Sequence, residues 1–244
     1  MSQGTMTLKP IPQDPKGPRA FFGRRAGKKL HKGQKVLFET LLPELTVDIS
    51  QPVDPRALFP EAKRIHLEIG YGGGEHLARM ARENPEDGFI GCEVFTGGIG
   101  KLLEAIDEEG LSNIALFPDD VIKLLAVMPD ASIDCLYVLY PDPWPKPRHH
   151  KRRLIQFPVL AEFARVLRPG GTFRFATDIE DYANWTLAHV TRSRDFIWSP
   201  AAPGAWHTAY PGWQPTRYET KARRQGRMQS FYFEFVRHDA RDVL

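Results

Sequence analysis

The chain has 244 residues, 42% hydrophobic and 26% charged, with a formal net charge of +3 and two cysteines. That composition suits a globular domain large enough to bury a core. No apolar run approaches the ~20 residues of a membrane-spanning helix, and residues 1–20 lack the apolar centre of a secretion signal, so a cytoplasmic protein is expected. Cys92 and Cys135 have no second Cys or His at ligand spacing, which argues against a disulfide framework or a metal site and predicts two buried thiols.

The small net charge hides a polarisation. Residues 16–35 carry eight Lys or Arg and no acid; residues 146–153 carry five and no acid; residues 214–227 carry five and the single acid Glu219. The three runs together sum to +17 and the rest of the chain to −14. Segregation of this kind is the electrostatic footprint of a polyanion partner. Aromatic rings near these runs, Phe21, Phe22, Trp144, Trp213 and Tyr218, suit stacking on unpaired bases.

Residues 1–33, rich in Pro, Gly, Lys and Arg, are predicted to form a flexible basic arm, and residues 34–244 a single domain. The arm is expected to serve RNA affinity and to leave cofactor binding untouched. A short helix is predicted over residues 34–45 from the spacing of Val36, Leu37, Leu41 and Leu42. The first strand, residues 64–69, runs into Glu68-Ile69-Gly70-Tyr71-Gly72-Gly73-Gly74-Glu75 and then a helix from His76. Glycines between a strand and a helix allow a sharp turn and a close approach of backbone amides to a ligand. The dinucleotide pattern G-x-G-x-x-G fails because position 75 is Glu. An acid before the glycines instead suits a cofactor carrying positive charge nearby, as a sulfonium amino acid does. A second strand, residues 88–94, places Glu93 where a carboxylate can bind ribose hydroxyls.

The βα alternation continues: helix 97–109, strand 113–117, helix 121–128, strand 135–140. Asp120, at the third strand's end, can accept from an adenine amino group or cap the following helix. After the apolar strand 135–140, Pro141, Pro143, Pro145 and Pro147 alternate with Asp142, Trp144 and Lys146. Each proline should push its predecessor towards extended geometry, giving a stiff loop beyond a strand end. A helix over 152–167, strand 172–176 ending at Thr177-Asp178, helix 181–190 and short strand 196–199 follow. The long loop 199–215 is unusual enough in a compact domain to suggest function, and residues 230–236 form the last strand.

Glu68-Ile69-Gly70 with its glycine turn, Glu93, Tyr140-Pro141-Asp142-Pro143-Trp144-Pro145-Lys146, Ala176-Thr177-Asp178 and Thr216-Arg217-Tyr218-Glu219 closely resemble the bacterial tRNA (guanine-N7)-methyltransferase family, over residues 22–237. The resemblance implies an α/β fold, the Rossmann-like class I methyltransferase: a mostly parallel seven-stranded sheet with helices on both faces and an antiparallel last strand. It implies methyl transfer from S-adenosyl-L-methionine to N7 of a guanosine in the tRNA variable loop, position 46. By the same resemblance Glu68, Gly70, Gly72, Glu93, Asp120 and Asp142 contact the donor, and Asp142 is catalytic. Lys146, Asp178, Thr216, Arg217, Tyr218 and Glu219 contact the target guanosine, and Arg148, His149, His150, Lys151, Arg152 and Arg153 contact RNA. No metal and no membrane partner are expected, and the chain is expected to act as a monomer, with a homodimer as the alternative. Two other classes fit part of the pattern: an amino-group nucleic-acid methyltransferase stacking its base on Trp144, and a non-catalytic RNA-binding protein with a vestigial cofactor fold.

Overall fold

The computed structural model describes residues 22–224, 226 and 229–238; residues 1–21 of the predicted arm, and Arg227 of the third basic run, lie outside them. The described elements, in order, are α1 (Lys32–Thr40), α2 (Leu42–Leu45), α3 (Pro55–Leu58), β1 (Ile65–Ile69), α4 (Glu75–Glu83), β2 (Gly88–Cys92), α5 (Thr96–Glu109), β3 (Ile114–Phe117), α6 (Val121–Leu125), β4 (Ile133–Leu139), α7 (Phe157–Val166), β5 (Leu167–Thr177), α8 (Glu180–Ser193), β6 (Phe196–Ile197), α9 (Arg217–Arg224) and β7 (Phe231–Arg237). The strands form one sheet in the order β3-β2-β1-β4-β5-β7-β6. β7 is antiparallel to both neighbours and the other pairings are parallel. This is the mostly parallel seven-stranded sheet with an antiparallel last strand that the sequence led us to expect.

Burial on both faces explains the apolar runs. All seven residues of β4 are buried, as strands covered on both sides must be. Ile65, Leu67 and Ile69 of β1 face a core shared with Leu124 of α6, Phe163 of α7 and Tyr182 of α8. On the other face Phe89, Ile114 and Leu116 pack with Leu77 of α4 and Leu102 and Leu103 of α5. α1 begins at Lys32, where the His31 ring accepts from the Gln34 amide, two residues before the helix start expected at residue 34.

Sheet order reverses between β1 and β4, and a cleft opens beyond their C-terminal ends. Its floor is the glycine turn. Gly70, Gly72 and Gly74 have φ of +73°, +59° and +79°, a region that costs other residues strain. A further glycine, Gly98 in the first turn of α5, lets that helix touch the turn: a Cβ there would stand 2.0 Å from the Gly72 carbonyl oxygen.

The proline loop differs from expectation. Tyr140 and Trp144, each preceding a proline, have φ of +51° and +44° instead of extended geometry. Such conformations persist only where surroundings over-determine them. The Tyr140 amide still donates to Ala176 O at 2.7 Å and its hydroxyl reaches Ser230 Oγ at 3.1 Å. The Trp144 ring lies under the Arg152 guanidinium at 4.9 Å and edge-on to His149.

The helix expected over 152–167 begins only at Phe157, because Gln156 is extended and residues Pro147–Arg152 form a 3₁₀ helix. Arg153, predicted to contact RNA, is instead 2% exposed. Its Nε donates to the Pro143 carbonyl at 2.9 Å, Nη2 pairs with Asp181, and its guanidinium lies over the Tyr182 and Trp185 rings. It fastens the proline loop to α8, with its guanidinium turned into the protein and away from solvent.

Two stability outcomes follow from these contacts. Arg153→Ala orphans the Pro143 carbonyl and should cost about 2 kcal/mol, a fall in Tm of roughly 4–8 °C by thermal melting. Gly98→Ala overpacks the cleft floor and should cost about 1–3 kcal/mol, read as a lowered urea midpoint.

Candidate active site

Two adjoining cavities occupy the cleft and share Gly70, Phe95 and Tyr140 as a common wall. The smaller, about 390 Å³, collects Glu93, Asp119, Asp120, Asp142 and Trp144. The larger, about 720 Å³, collects Glu68, Gly72, His76, Thr216 and Tyr218. Both also touch the chain ahead of α1: Phe22 and Arg24 line the first, and Lys28, Lys29 and Leu30 the second.

Glu93 follows the end of β2 and clamps the glycine turn. Its Oε1 accepts from the amides of Val94 and Phe95, and its Oε2 from Gly72 N at 2.9 Å. Burial pushes its pKa up; the three amides oppose this and the neighbouring charge of Asp142 adds to it. A carboxylate offers about four acceptor sites, so one remains beside the turn. Asp142 is open to solvent by area, yet protein crowded around its carboxyl pushes its pKa up as well. Among the described residues it has no hydrogen-bond or ion-pair partner.

Asp120 caps α6, its Oδ1 accepting from Ile122 N at 3.1 Å, and it is 2% exposed within the smaller cavity's wall. Asp119 is held differently: against partial burial, Lys123 and Arg25 pull its pKa down to about 2.

Glu68 points to the opposite face of β1 from the aliphatic core. Its Oε2 meets His76 Nδ1 at 2.7 Å, and His76 Nε2 meets the Tyr210 hydroxyl at 3.1 Å. The long loop predicted to matter is thereby tied to the cleft. Glu219 is buried as a tie of the same kind: it accepts from Trp213 Nε1 and from the Tyr232 hydroxyl, while Thr216 Oγ1 accepts from Glu219 N to start α9. Tyr218 packs against Tyr140 at 5.3 Å, next to the proline loop.

The structure brings Glu68, Gly70, Gly72, Glu93, Asp120, Asp142, Thr216 and Tyr218 to the cavity walls. Asp178, just beyond β5, and Lys146 line neither cavity, and the side chain of Arg217 lies outside the described residues. Arg148 and Lys151 are exposed, Arg152 lines the smaller cavity, and His150 is half-buried edge-on to Trp185. Residues not expected in the cleft are Phe95, which separates the cavities, His76, and Phe22, Arg24 and residues 28–30, which the sequence assigned to RNA. The signal for Phe95 was its place two residues after Glu93; the arm showed only its charge and its rings. Among the described residues no cluster of His, Cys, Asp and Glu could hold a metal, and no helix is long and apolar enough to cross a membrane.

These residues fit an adenosyl cofactor. A glycine turn with left-handed backbone, an acid before it and one at the next strand end line two adjoining cavities, the smaller of them of the size a nucleoside needs. Solved structures with the same fold include the 16S rRNA methyltransferase KamB, at TM-score 0.52 and 15% identity over 75% of this chain and 92% of that one. Another is a mutant 16S rRNA (adenine(1408)-N(1))-methyltransferase from Catenulisporales acidiphilia with its cosubstrate SAM, at TM-score 0.53 and 17% identity over 79% of this chain and 95% of that one. Residues 62–231 match a protein family described as "Putative methyltransferase". The tRNA (guanine-N(7)-)-methyltransferase of Agrobacterium fabrum is 51% identical over 89% of this chain and 95% of its own length. That of Rhizobium meliloti is 49% identical over the same shares. With half of its residues shared over nearly the whole length of such relatives, and the cleft described above at its centre, this chain belongs to the bacterial tRNA (guanine-N7)-methyltransferase family.

Proposed function

We propose that this chain transfers a methyl group from S-adenosyl-L-methionine to N7 of a guanosine in tRNA, at position 46 of the variable loop, in the cytoplasm. The observation that carries this reading is the convergence of Glu93 and Asp142, both with raised pKa values, on one cavity beside the glycine turn. Desolvation raises both carboxyls, the charge of Asp142 adds to the rise of Glu93, and a cationic ligand beside them favours the ionised form of each. Bound there, S-adenosyl-L-methionine supplies an electrophilic methyl group on a sulfonium.

Glu93 and Asp120 would hold the nucleoside end of the donor, and Glu68 and Asp142 the rest of it, across the Gly70–Gly72 turn that joins the cavities. Thr216 and Tyr218, on the wall of the larger cavity, would receive the guanosine, with Lys146, Asp178, Arg217 and Glu219 around them. Guanine N7 carries a lone pair and no proton, so no strong base is needed. The chain's task is alignment and exclusion of water. Tyr140 and Phe95, shared by both cavities, form the partition across which the reacting atoms meet. As N7 becomes alkylated the ring gains positive charge, which the Asp142 carboxylate stabilises. Exposed Arg148 and Lys151, with Arg152 over Trp144, present cations to the RNA backbone beside the same loop.

Labelled donor incubated with bulk tRNA should place the label in 7-methylguanosine; label in an N-methyladenine, or none at all, sinks the proposal. Glu93→Ala should weaken donor binding by roughly 1–3 kcal/mol, about 5- to 150-fold by calorimetry, since it removes both the ligand contact and the clamp on Gly72. Asp142→Asn keeps the shape and removes the charge, so kcat should fall far more than either binding constant changes. Because the carboxyl must be ionised and its pKa is raised, the wild-type rate should fall on the acid side at a pH above the ordinary Asp range. That component of the pH profile should vanish in Asp142→Asn.

A further inference from the structure

The sequence assigns the basic arm to RNA affinity alone, yet its last stretch runs along both cavities. Three contacts fix it there. Thr96 N, at the start of α5, donates to Arg25 O at 2.9 Å. Arg25 Nη2 pairs with Asp119 Oδ1 at 2.8 Å, on the smaller cavity's wall. Gly27 lies against the Phe95 ring so closely that a Cβ would stand 2.6 Å from Cζ. The ion pair is largely exposed and screened, so it contributes little by itself. The backbone bond and the glycine-on-ring contact do most of the holding.

We propose that residues 22–30 are the outer wall of the donor site, with Phe22 covering the smaller cavity and Gly27 setting the position of Phe95 between the two. This rests on the donor reading given above. Without the segment, the smaller cavity loses Phe22 and Arg24 and the larger loses Lys28, Lys29 and Leu30, leaving a donor exposed to water along that side. An apolar ring and a close backbone contact do nothing for a phosphate, whereas both are what a nucleoside pocket requires.

Gly27→Val in the full chain separates this role from electrostatics, because it keeps every charge of the arm and only pushes the segment away from Phe95. Phe22→Ala removes the covering ring. Both should raise the calorimetric Kd for S-adenosylhomocysteine at least fivefold while thermal melting stays close to wild type. In the wild-type chain the same ligand should slow amide hydrogen exchange over residues 22–30. Binding within twofold of wild type in both variants, or exchange in the segment indifferent to the ligand, overturns the proposal. Glu93→Ala measured alongside tells the two readings apart. If it binds S-adenosylhomocysteine as wild type does, the donor reading fails; if it loses affinity while Gly27→Val does not, only the wall is wrong.

Discussion

The contact between the Gly72 carbonyl and Gly98 sets the geometry of everything above the sheet. With no side chain at Gly98, α5 closes onto the turn after β1 until backbone touches backbone. Glu93 then reaches across to the Gly72 amide and fixes the turn from the other side. The left-handed glycines could adopt many conformations in isolation. Two packed neighbours reduce them to one, and the cleft is shaped before any ligand arrives, which lowers the ordering cost of binding.

Around that floor carboxylates converge on the smaller cavity, while of the 146–153 run Arg148 and Lys151 are exposed, Arg152 reaches the cavity wall and Arg153 is buried. The bends of the proline loop at Tyr140 and Trp144 turn it from a simple extension of β4 into a partition. The strain of two non-glycine residues at positive φ is borne by identifiable contacts: Ser230 and Tyr218 on the first ring, Arg152 and His149 on the second, and Arg153 gripping Pro143 between them. Strain at a cleft wall, held by surrounding packing, is where functional backbone is commonly found.

One face of the sheet is polar inside. His66 bridges Asp87 at 3.1 Å and the Tyr137 hydroxyl at 3.3 Å; Arg174 joins Tyr137 to Glu234 and stacks over Tyr210 at 4.2 Å; Tyr210 meets His76, which meets Glu68. Burial pushes the His66 pKa down to about 4 despite the hydrogen bond to Asp87, so it is neutral at pH 7 and adds no charge to the interior. The chain of contacts joins the cleft to the loop before α9 and to β7, so Thr216 and Tyr218 are positioned by the same interior that positions Glu68. Buried polar groups linked in this manner specify one arrangement, because any alternative leaves a partner unpaired.

The sequence by itself determined the sheet, the strand boundaries to within a few residues except at the start of β5, which begins at Leu167 where a helix was expected to end, the glycine turn and the acidic residues at the strand ends. These are local properties: apolar runs, periodicity and glycine placement act over neighbouring residues. Only the tertiary structure decided the fate of individual side chains whose type was legible but whose partners were remote. Arg153 reads as one more cation in a basic run, and only the approach of Asp181, Tyr182 and Trp185 from α8 buries it. Glu219 reads as one more polar residue of its run, and only the fold brings Trp213 and Tyr232 to it as a tie between loop and strand. Residues 22–30 read as a charged tail, and they line the cavities because Phe95, 68 positions beyond Gly27, meets that glycine in space. Charge and pattern are written along the chain, but burial is set by what folds back against each residue, and no local window contains that.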